Sequence, residues 1–316
     1  MSTAAPESGL GRGAAVLAFD VGGTDIKAAL FDAAGSPLGL SRTPTPDVAA
    51  SGTGRLMDRL VELAGDLRGR HPHVEPVAAG LVVPGIVDAV RGIGVFSSNL
   101  GWRDAPLRDL AEGRLGLPVA FDHDVTAAAW AERMRGGARA YANAVVLVIG
   151  TGIAGTLLID GAPHAAGGYA GEVGHSPVGE WDCPCGARGC LEAIASAGAI
   201  ARRYTAASGQ TVDGAREVIA RADAGDAVAA RIWDEALDAL ALSIAQLTAV
   251  LAPEAVVIGG GLSRAGGSLF DPLRERVAGR LSFHRVPELV PAQLGDDAGL
   301  LGAALHARAL AEGGRS

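Results

Sequence analysis

The chain has 316 residues, 49% of them apolar and 20% charged, with a formal net charge of -8. That composition excludes intrinsic disorder of the whole and is large enough for two domains. An acidic chain without a basic stripe lacks the electrostatic footprint of a nucleic-acid binder, and no uninterrupted apolar run is long enough to cross a bilayer as a helix.

Residues 1–13 are mostly small and polar and predict a flexible tail. They lack the cationic start and apolar run of a signal peptide, so a cytoplasmic location is expected. Two short apolar runs, Ala14–Val21 and Ile26–Phe31, flank Gly22-Gly23-Thr24 and predict a strand, a Gly-rich turn and a second strand. Leu56, Leu60, Leu63 and Leu67 recur at helical spacing and predict an amphipathic helix over 55–68. A strand over 77–83 runs into the turn signal Pro84-Gly85. A short buried strand over 118–121 leads to a helical run over 127–135. The first pattern then recurs: an apolar strand over 144–149, the turn Gly150-Thr151-Gly152, and a partner strand over 155–159. This weak internal repeat predicts two related lobes. A loop-rich stretch over 162–189 follows, then one long helix over 227–251, a strand over 255–258 ending in Gly259-Gly260-Gly261, and a closing helix over 299–310.

The three Gly-rich turns each close a strand. In Asp20-Val-Gly22-Gly23-Thr24-Asp-Ile-Lys27, the glycines permit tight backbone angles and close approach of a ligand. Their amides and the Thr24 hydroxyl can cradle phosphate oxygens, Asp20 can hold Mg²⁺ through water, and Lys27 adds positive charge. The plain alternative is a hairpin turn with no ligand. Gly150, Thr151, Gly152 and Gly155 offer the same chemistry from the second repeat, and Gly260 and Gly261 let a flat base lie against the backbone. No G-x-x-x-x-G-K-[ST] occurs, and no G-x-G-x-x-G opens a helix after the first strand, which disfavours a P-loop or a Rossmann site.

All three cysteines, Cys183, Cys185 and Cys190, fall within eight residues, and His175 precedes them. An odd, clustered set suits a metal in a reducing compartment better than a disulfide framework. Three thiolates and one imidazole make a closed tetrahedral Zn²⁺ set, and a closed set is structural. In Asp122-His123-Asp124 a carboxylate can accept a hydroxyl proton, or Asp124 can simply cap the following helix. Asn99, Glu172, His175 and Glu192 can hold sugar hydroxyls or be ordinary loop residues. One ring nitrogen of His175 can bind zinc while the other faces a substrate.

Taken together, these residues resemble the ROK family (repressors, open reading frames and kinases) of the actin-like and hexokinase ATPase superfamily, over nearly the whole chain. The carriers are Ala170-Gly-Glu172-Val-Gly-His175 with Cys183-Pro-Cys185-Gly-Ala-Arg-Gly-Cys190-Leu-Glu192, the turns at 20–27 and 150–155, Gly259-Gly-Gly-Leu262, and the closing segment 292–302. The resemblance implies an α/β, two-lobed actin-like (ribonuclease H-like) fold, each lobe a mixed β-sheet flanked by helices, with a small zinc-bound loop. The lobes are expected over 14–124, closed by the C-terminal helix 299–311, and over 125–298, which carries the zinc site and the oligomer contacts. It implies an ATP- and Mg²⁺-dependent sugar kinase of the glucokinase type, acting on a primary hydroxyl to give a 6-phosphate. Asp124 is then the general base; Asn99, His123, Asp124, Glu172, His175 and Glu192 contact the sugar; and the chain forms a homodimer or homotetramer. One departure stands out. Glucokinases of the family usually read Asn-Asp-Ala-Asn where this chain reads His123-Asp124-Val125-Thr126. A site built to hydrogen-bond particular hydroxyls discriminates strongly, so an N-acetylhexosamine, another hexose or a cyclitol is an alternative substrate. Two other classes compete. A sugar-sensing repressor of the same family needs a DNA-binding domain ahead of the first phosphate motif, and Asp20 leaves no room for one. A non-catalytic sugar sensor is disfavoured by the intact Asp20, Asp124 and both Gly/Thr turns.

Overall fold

The computed structural model describes residues 9–313. The chain divides into two compact units. Unit 1 takes the chain up to Gly136, Ala165–Tyr169 and the segment from Asp296 onward; unit 2 takes Gly137–His164 and Ala170–Gly295.

Unit 1 begins with an antiparallel meander, β1 (Val16–Val21), β2 (Asp25–Phe31) and β3 (Pro37–Pro44). A one-turn helix α1 (Val48–Ser51), with Asp47 accepting from the Ala50 N–H, leads into α2 (Thr53–Arg70). Strand β4 (Ala78–Val83) follows, then a small antiparallel sheet of β5 (Ile86–Asp88), β6 (Ile93–Phe96) and β7 (Arg103–Ala105). Helix α3 (Leu107–Leu115), strand β8 (Val119–His123) and helix α4 (Asp124–Arg135) complete this stretch. The main sheet has the order β3-β2-β1-β4-β8, with β1, β4 and β8 parallel. Strands β1 and β4 are covered on both faces, which is why they read as continuous apolar runs. Leu17, Phe19, Val21, Leu81 and Val83 pack with α2 and α3 on one face; Val16, Ala18, Ala78 and Val82 turn to the other.

Unit 2 repeats the plan. Strands β9 (Ala144–Ile149), β10 (Ile153–Ile159) and β11 (Ala162–His164) form a second meander. The stretch read as loop holds a two-stranded hairpin, β12 (Pro177–Asp182) and β13 (Arg188–Cys190). Helices α5 (Leu191–Ala195), α6 (Ala197–Ser208), α7 (Ala215–Asp223) and α8 (Ala227–Leu251) follow. Asp226 caps α8 by accepting from the Val228 and Ala229 N–H groups at 2.9 and 3.1 Å. Strand β14 (Ala255–Gly259), helix α9 (Gly267–Arg280) and strand β15 (Glu288–Pro291) end the unit. The sheet order β11-β10-β9-β14-β15, with β9, β14 and β15 parallel, has the topology of the unit 1 sheet.

Helix α10 (Ala298–Ala311) returns the chain to unit 1 and packs with α4 on the second face of its sheet. Two glycines set how closely it lies. A Cβ on Gly80 would sit 1.9 Å from the Ala303 carbonyl oxygen, and one on Gly302 2.1 Å from that of Ala127. The unit boundary falls after Gly136 rather than between 124 and 125, because α4 packs against α10, with Trp130 stacked on His306. Within the described residues, part of the expected tail is packed instead. Residues 1–8 lie outside the described residues, but Leu10 is buried and its N–H donates to Gly35 O, while Arg308 donates to Ala14 O. Among the described residues, no helix is long and apolar enough to cross a membrane.

Candidate active site and metal centre

The first Gly-rich turn joins β1 to β2. Gly22 N–H donates to Asp25 O at 2.8 Å, and Thr45 Oγ1 donates to Gly22 O at 2.7 Å. Neither Gly22 nor Gly23 adopts a left-handed φ, so tight backbone angles are not why glycine stands there. A Cβ on Gly23 would meet nothing closer than Asn99 Nδ2 at 3.9 Å. The chain's own packing therefore leaves this backbone face open, as a phosphate-binding turn requires. Asn99 reaches the turn from the loop before Trp102, whose side chain is buried with Leu100 and anchors it.

Asp20, next to last in β1, lies opposite Lys27 of β2. A Cβ on Gly299, at the start of α10, would lie 2.8 Å from Asp20 Oδ2, so glycine there makes room for the carboxylate. Burial, then the Asp124 charge, push the Asp20 carboxyl up to about 7, against the pull of Lys27. Lys27 donates to Asp296 O and lies 3.8 Å from Asp297 Oδ1. A recessed carboxylate that costs this much to ionise fits a cation such as Mg²⁺.

Asp124 opens α4, but it is not the cap. His123 occupies that position in extended backbone, with no side-chain cap bond. Asp124 Oδ1 instead accepts from Val125 N–H at 2.7 Å and lies 3.1 Å from His123 Nε2. Burial raises the Asp124 carboxyl above the usual carboxylate range, and His123 opposes this. In unit 1, Asp20, Asn99, His123 and Asp124 thus lie at the ends of β1 and β8 and in one adjoining loop.

In unit 2, a Cβ on Gly150 or Gly261 would meet no other atom within 4 Å, whereas Gly152 and Gly260 are held by the chain itself. Gly260 has φ +78°, and its Cβ would lie 2.5 Å from Ile149 O. Gly152 is closed in by Glu192, whose Oε2 accepts the Ile153 N–H at 2.8 Å. Gly155 pairs with Leu147, and its N–H donates to Gly171 O. Thr151 is exposed at the tip of this turn.

The ligand atoms of His175, Cys183, Cys185 and Cys190 all lie within 4.8 Å of one another. Four ligands at a zinc–sulfur length of about 2.3 Å put sulfurs about 3.8 Å apart in a tetrahedron. Cys185 and Cys190 Sγ are 3.7 Å apart, and Cys183 Sγ is 3.9 Å from His175 Nδ1. Burial pushes the Cys190 thiol up to about 12 and the Cys183 thiol upward, while the Ala187 N–H lowers that of Cys185. A cation supplies what buried thiolates need, so the set fits structural zinc. His175 Nδ1 faces the cluster, and its Nε2 lies 4.0 Å from Glu172 Oε2, so the two ring nitrogens serve different neighbours.

Residue types alone left three members unread. Asp297 and Gly299 adjoin Lys27 and Asp20 from the far end of the chain; only the Gly-Asp-Asp-Ala-Gly run at 295–299 marked them. His306 lies 3.2 Å from Asp122 Oδ2, and no local pattern signals it.

Residues 16–309 match the model of the ROK family. The chain is 35% identical to a glucokinase of Halalkalibacterium halodurans, over 90% of this chain and 92% of that one. Among solved structures it resembles a ROK hexokinase from Thermus thermophilus, with TM-score 0.82 and 34% identity over 95% of this chain and all (100%) of the other. It also resembles a ROK family glucokinase from Streptomyces griseus in complex with glucose and AMPPNP, with TM-score 0.78 and 30% identity over 93% and 99%.

Proposed function

Because the chain belongs to the ROK family, we propose that it is an ATP-dependent carbohydrate kinase moving the γ-phosphate to the primary hydroxyl of a hexose, with Asp124 as general base. The observation that carries this reading is the Asp124 carboxylate. It opens a helix without capping it, is recessed, accepts the Val125 N–H on Oδ1 and has His123 Nε2 3.1 Å from that same oxygen. A base so placed takes the hydroxyl proton as the oxygen attacks γ-phosphorus, and the bond to ADP breaks in line.

The remaining roles follow from position. Gly22, Gly23, Thr24 and Lys27 in unit 1, and Gly150, Thr151, Gly152 and Gly155 in unit 2, hold phosphates. Gly260 and Gly261 lie against the base of the nucleotide. Asp20 holds Mg²⁺, which, when bound, neutralises charge on the transferring phosphate. Asn99, His123, Glu172, His175 and Glu192 hold sugar hydroxyls. Glu192 Oε2 already serves Ile153, so Oε1 is its free acceptor. His175 Nδ1, Cys183, Cys185 and Cys190 hold zinc and keep His175 Nε2 and Glu192 in place.

The test is ADP release with Mg-ATP against glucose, mannose, fructose, allose, N-acetylglucosamine, N-acetylmannosamine and cyclitols. Turnover on any member supports the kinase and names its sugar. Silence across the panel with ATP and zinc bound favours a non-catalytic sugar sensor.

A further inference from the structure

His123 sits where α4 wants a cap. Its backbone is extended, with φ -75° and ψ 140°, yet its side chain makes no cap bond. Asn, Asp, Ser and Thr stabilise this position by accepting from the second or third helical N–H, and imidazole does not. A residue that forgoes a local stabilisation points to another task.

The task is visible in its contacts. His123 Nε2 lies 3.1 Å from Asp124 Oδ1, the oxygen that also accepts Val125 N–H. The His123 backbone is itself held from behind. Asp122 Oδ1 accepts the His123 N–H at 2.7 Å, and Asp122 Oδ2 lies 3.2 Å from His306 Nε2. The His306 ring stacks on Trp130 of α4, with centroids 6.4 Å apart. The charged groups facing Asp124 are His123 and Asp122 from β8 and Asp20 from β1, with Lys27 and Asp297 beyond Asp20.

We propose that His123 is the positioning residue of the Asp124 base: its Nε2–H holds Oδ1 and turns Oδ2 to the hydroxyl that gives up its proton. The inference rests on reading Asp124 as the base. In the step it serves, the hydroxyl proton passes to Oδ2, the oxygen bonds to γ-phosphorus, and the electron pair of the broken P–O bond leaves with ADP. With Nε2–H committed to Asp124, a neutral His123 offers the sugar only Nδ1, an acceptor. The subsite beside it therefore takes a hydroxyl or amide donor.

The two isosteres separate this role from a structural one. His123→Gln places an amide N–H near the Nε2 position. His123→Asn cannot reach Oδ1 in that way, but it is a good helix cap and keeps the fold. Carboxyl titration is followed by ¹³C NMR on aspartate-labelled, Mg²⁺-free protein, with Asp124→Asn assigning the resonance. Removing a donor and partial positive charge from a carboxylate raises its titration midpoint. We expect an upward move in His123→Asn and a smaller one in His123→Gln, with the melting temperature of His123→Asn equal to or above wild type. On the sugar with the highest turnover, the acid limb of kcat/KM moves to higher pH in His123→Asn and kcat falls about tenfold or more; Gln restores part of it. Superimposable titrations and pH profiles for wild type and His123→Asn overturn the inference. An active Asp124→Asn overturns the base reading instead, and leaves the measured coupling of His123 to Asp124 standing.

Discussion

Replacing Asp20 with Asn should stabilise the protein and disable it at once. Burial and the Asp124 charge carry the Asp20 midpoint from 3.8 to about 7. The native state therefore holds a proton that the unfolded chain has released between these values, and stability falls as pH rises through that window. The window spans about 3 pH units at 1.36 kcal/mol each, so the full cost above pH 7 has a ceiling of about 4 kcal/mol. Relaxation of the carboxylate toward water lowers this, and a gain of ~1–3 kcal/mol is expected for Asp20→Asn at pH 8. At pH 5 only about a third of the cost has developed, so the gap between variant and wild type narrows there. Thermal melts of both proteins in Mg²⁺-free buffer at pH 5 and pH 8 read this out. Asp20→Asn should melt a few degrees higher at pH 8, roughly 2–6 °C, and lose at least about a hundredfold in kcat with Mg-ATP. A variant less stable than wild type at pH 8, or a gap that does not change with pH, would refute the electrostatic reasoning.

Other perturbations separate the parts of the site. Asp124→Asn keeps size and polarity but removes the proton acceptor, so kcat should fall at least about a hundredfold with the fold intact by circular dichroism; retention of most activity rules it out as the base. Cys185→Ser removes one of four ligands, so metal content by elemental analysis should fall, melting should drop, and the sugar KM should rise; unchanged metal and KM count against structural zinc. Gly150→Ala adds a methyl group that meets no atom of the chain within 4 Å. Its melting temperature should stay within a degree or two while the ATP KM rises, and an unchanged KM argues against a phosphate at that turn. Gly80→Ala instead drives a Cβ to 1.9 Å from Ala303 O; it should cost ~3 kcal/mol or more in denaturant unfolding, or leave no folded protein.

What could be read from residues alone was whatever the chain encodes locally. Strands β1, β4, β9 and β14 announced themselves as apolar runs because each is covered on both faces. Helix α8 was legible over its whole length because 25 residues carry one periodic stripe without a breaker. Strand β3 was not, since its burial alternates between exposed and half-buried and its Leu, Ser and Arg residues carry no apolar run. The start of α4 was also hidden. His123 and Asp124 break capping preference, and His306, which faces the adjoining Asp122, lies on α10, far away in sequence. The same holds for Asp20: its carboxylate rests on Gly299, 279 positions later, and only folding of α10 onto β1 brings the two together.

The metal loop shows the difference most sharply. The Cys and His set was visible because a tetrahedral ion needs few residues at short spacing. Its consequence was not. Cys190 is the last ligand, α5 begins at the next residue, and Glu192 in that first turn accepts the Ile153 N–H beside Gly152. Zinc held by this set would therefore fix the carboxylate that closes the turn after β9, the turn proposed to hold phosphate. A purely local metal site would alter sugar affinity alone. The path from Cys190 through Glu192 to Ile153 requires that Cys185→Ser raise the ATP KM as well, and a variant with low zinc, weak sugar binding and an unchanged ATP KM would break that path at the Glu192 bond.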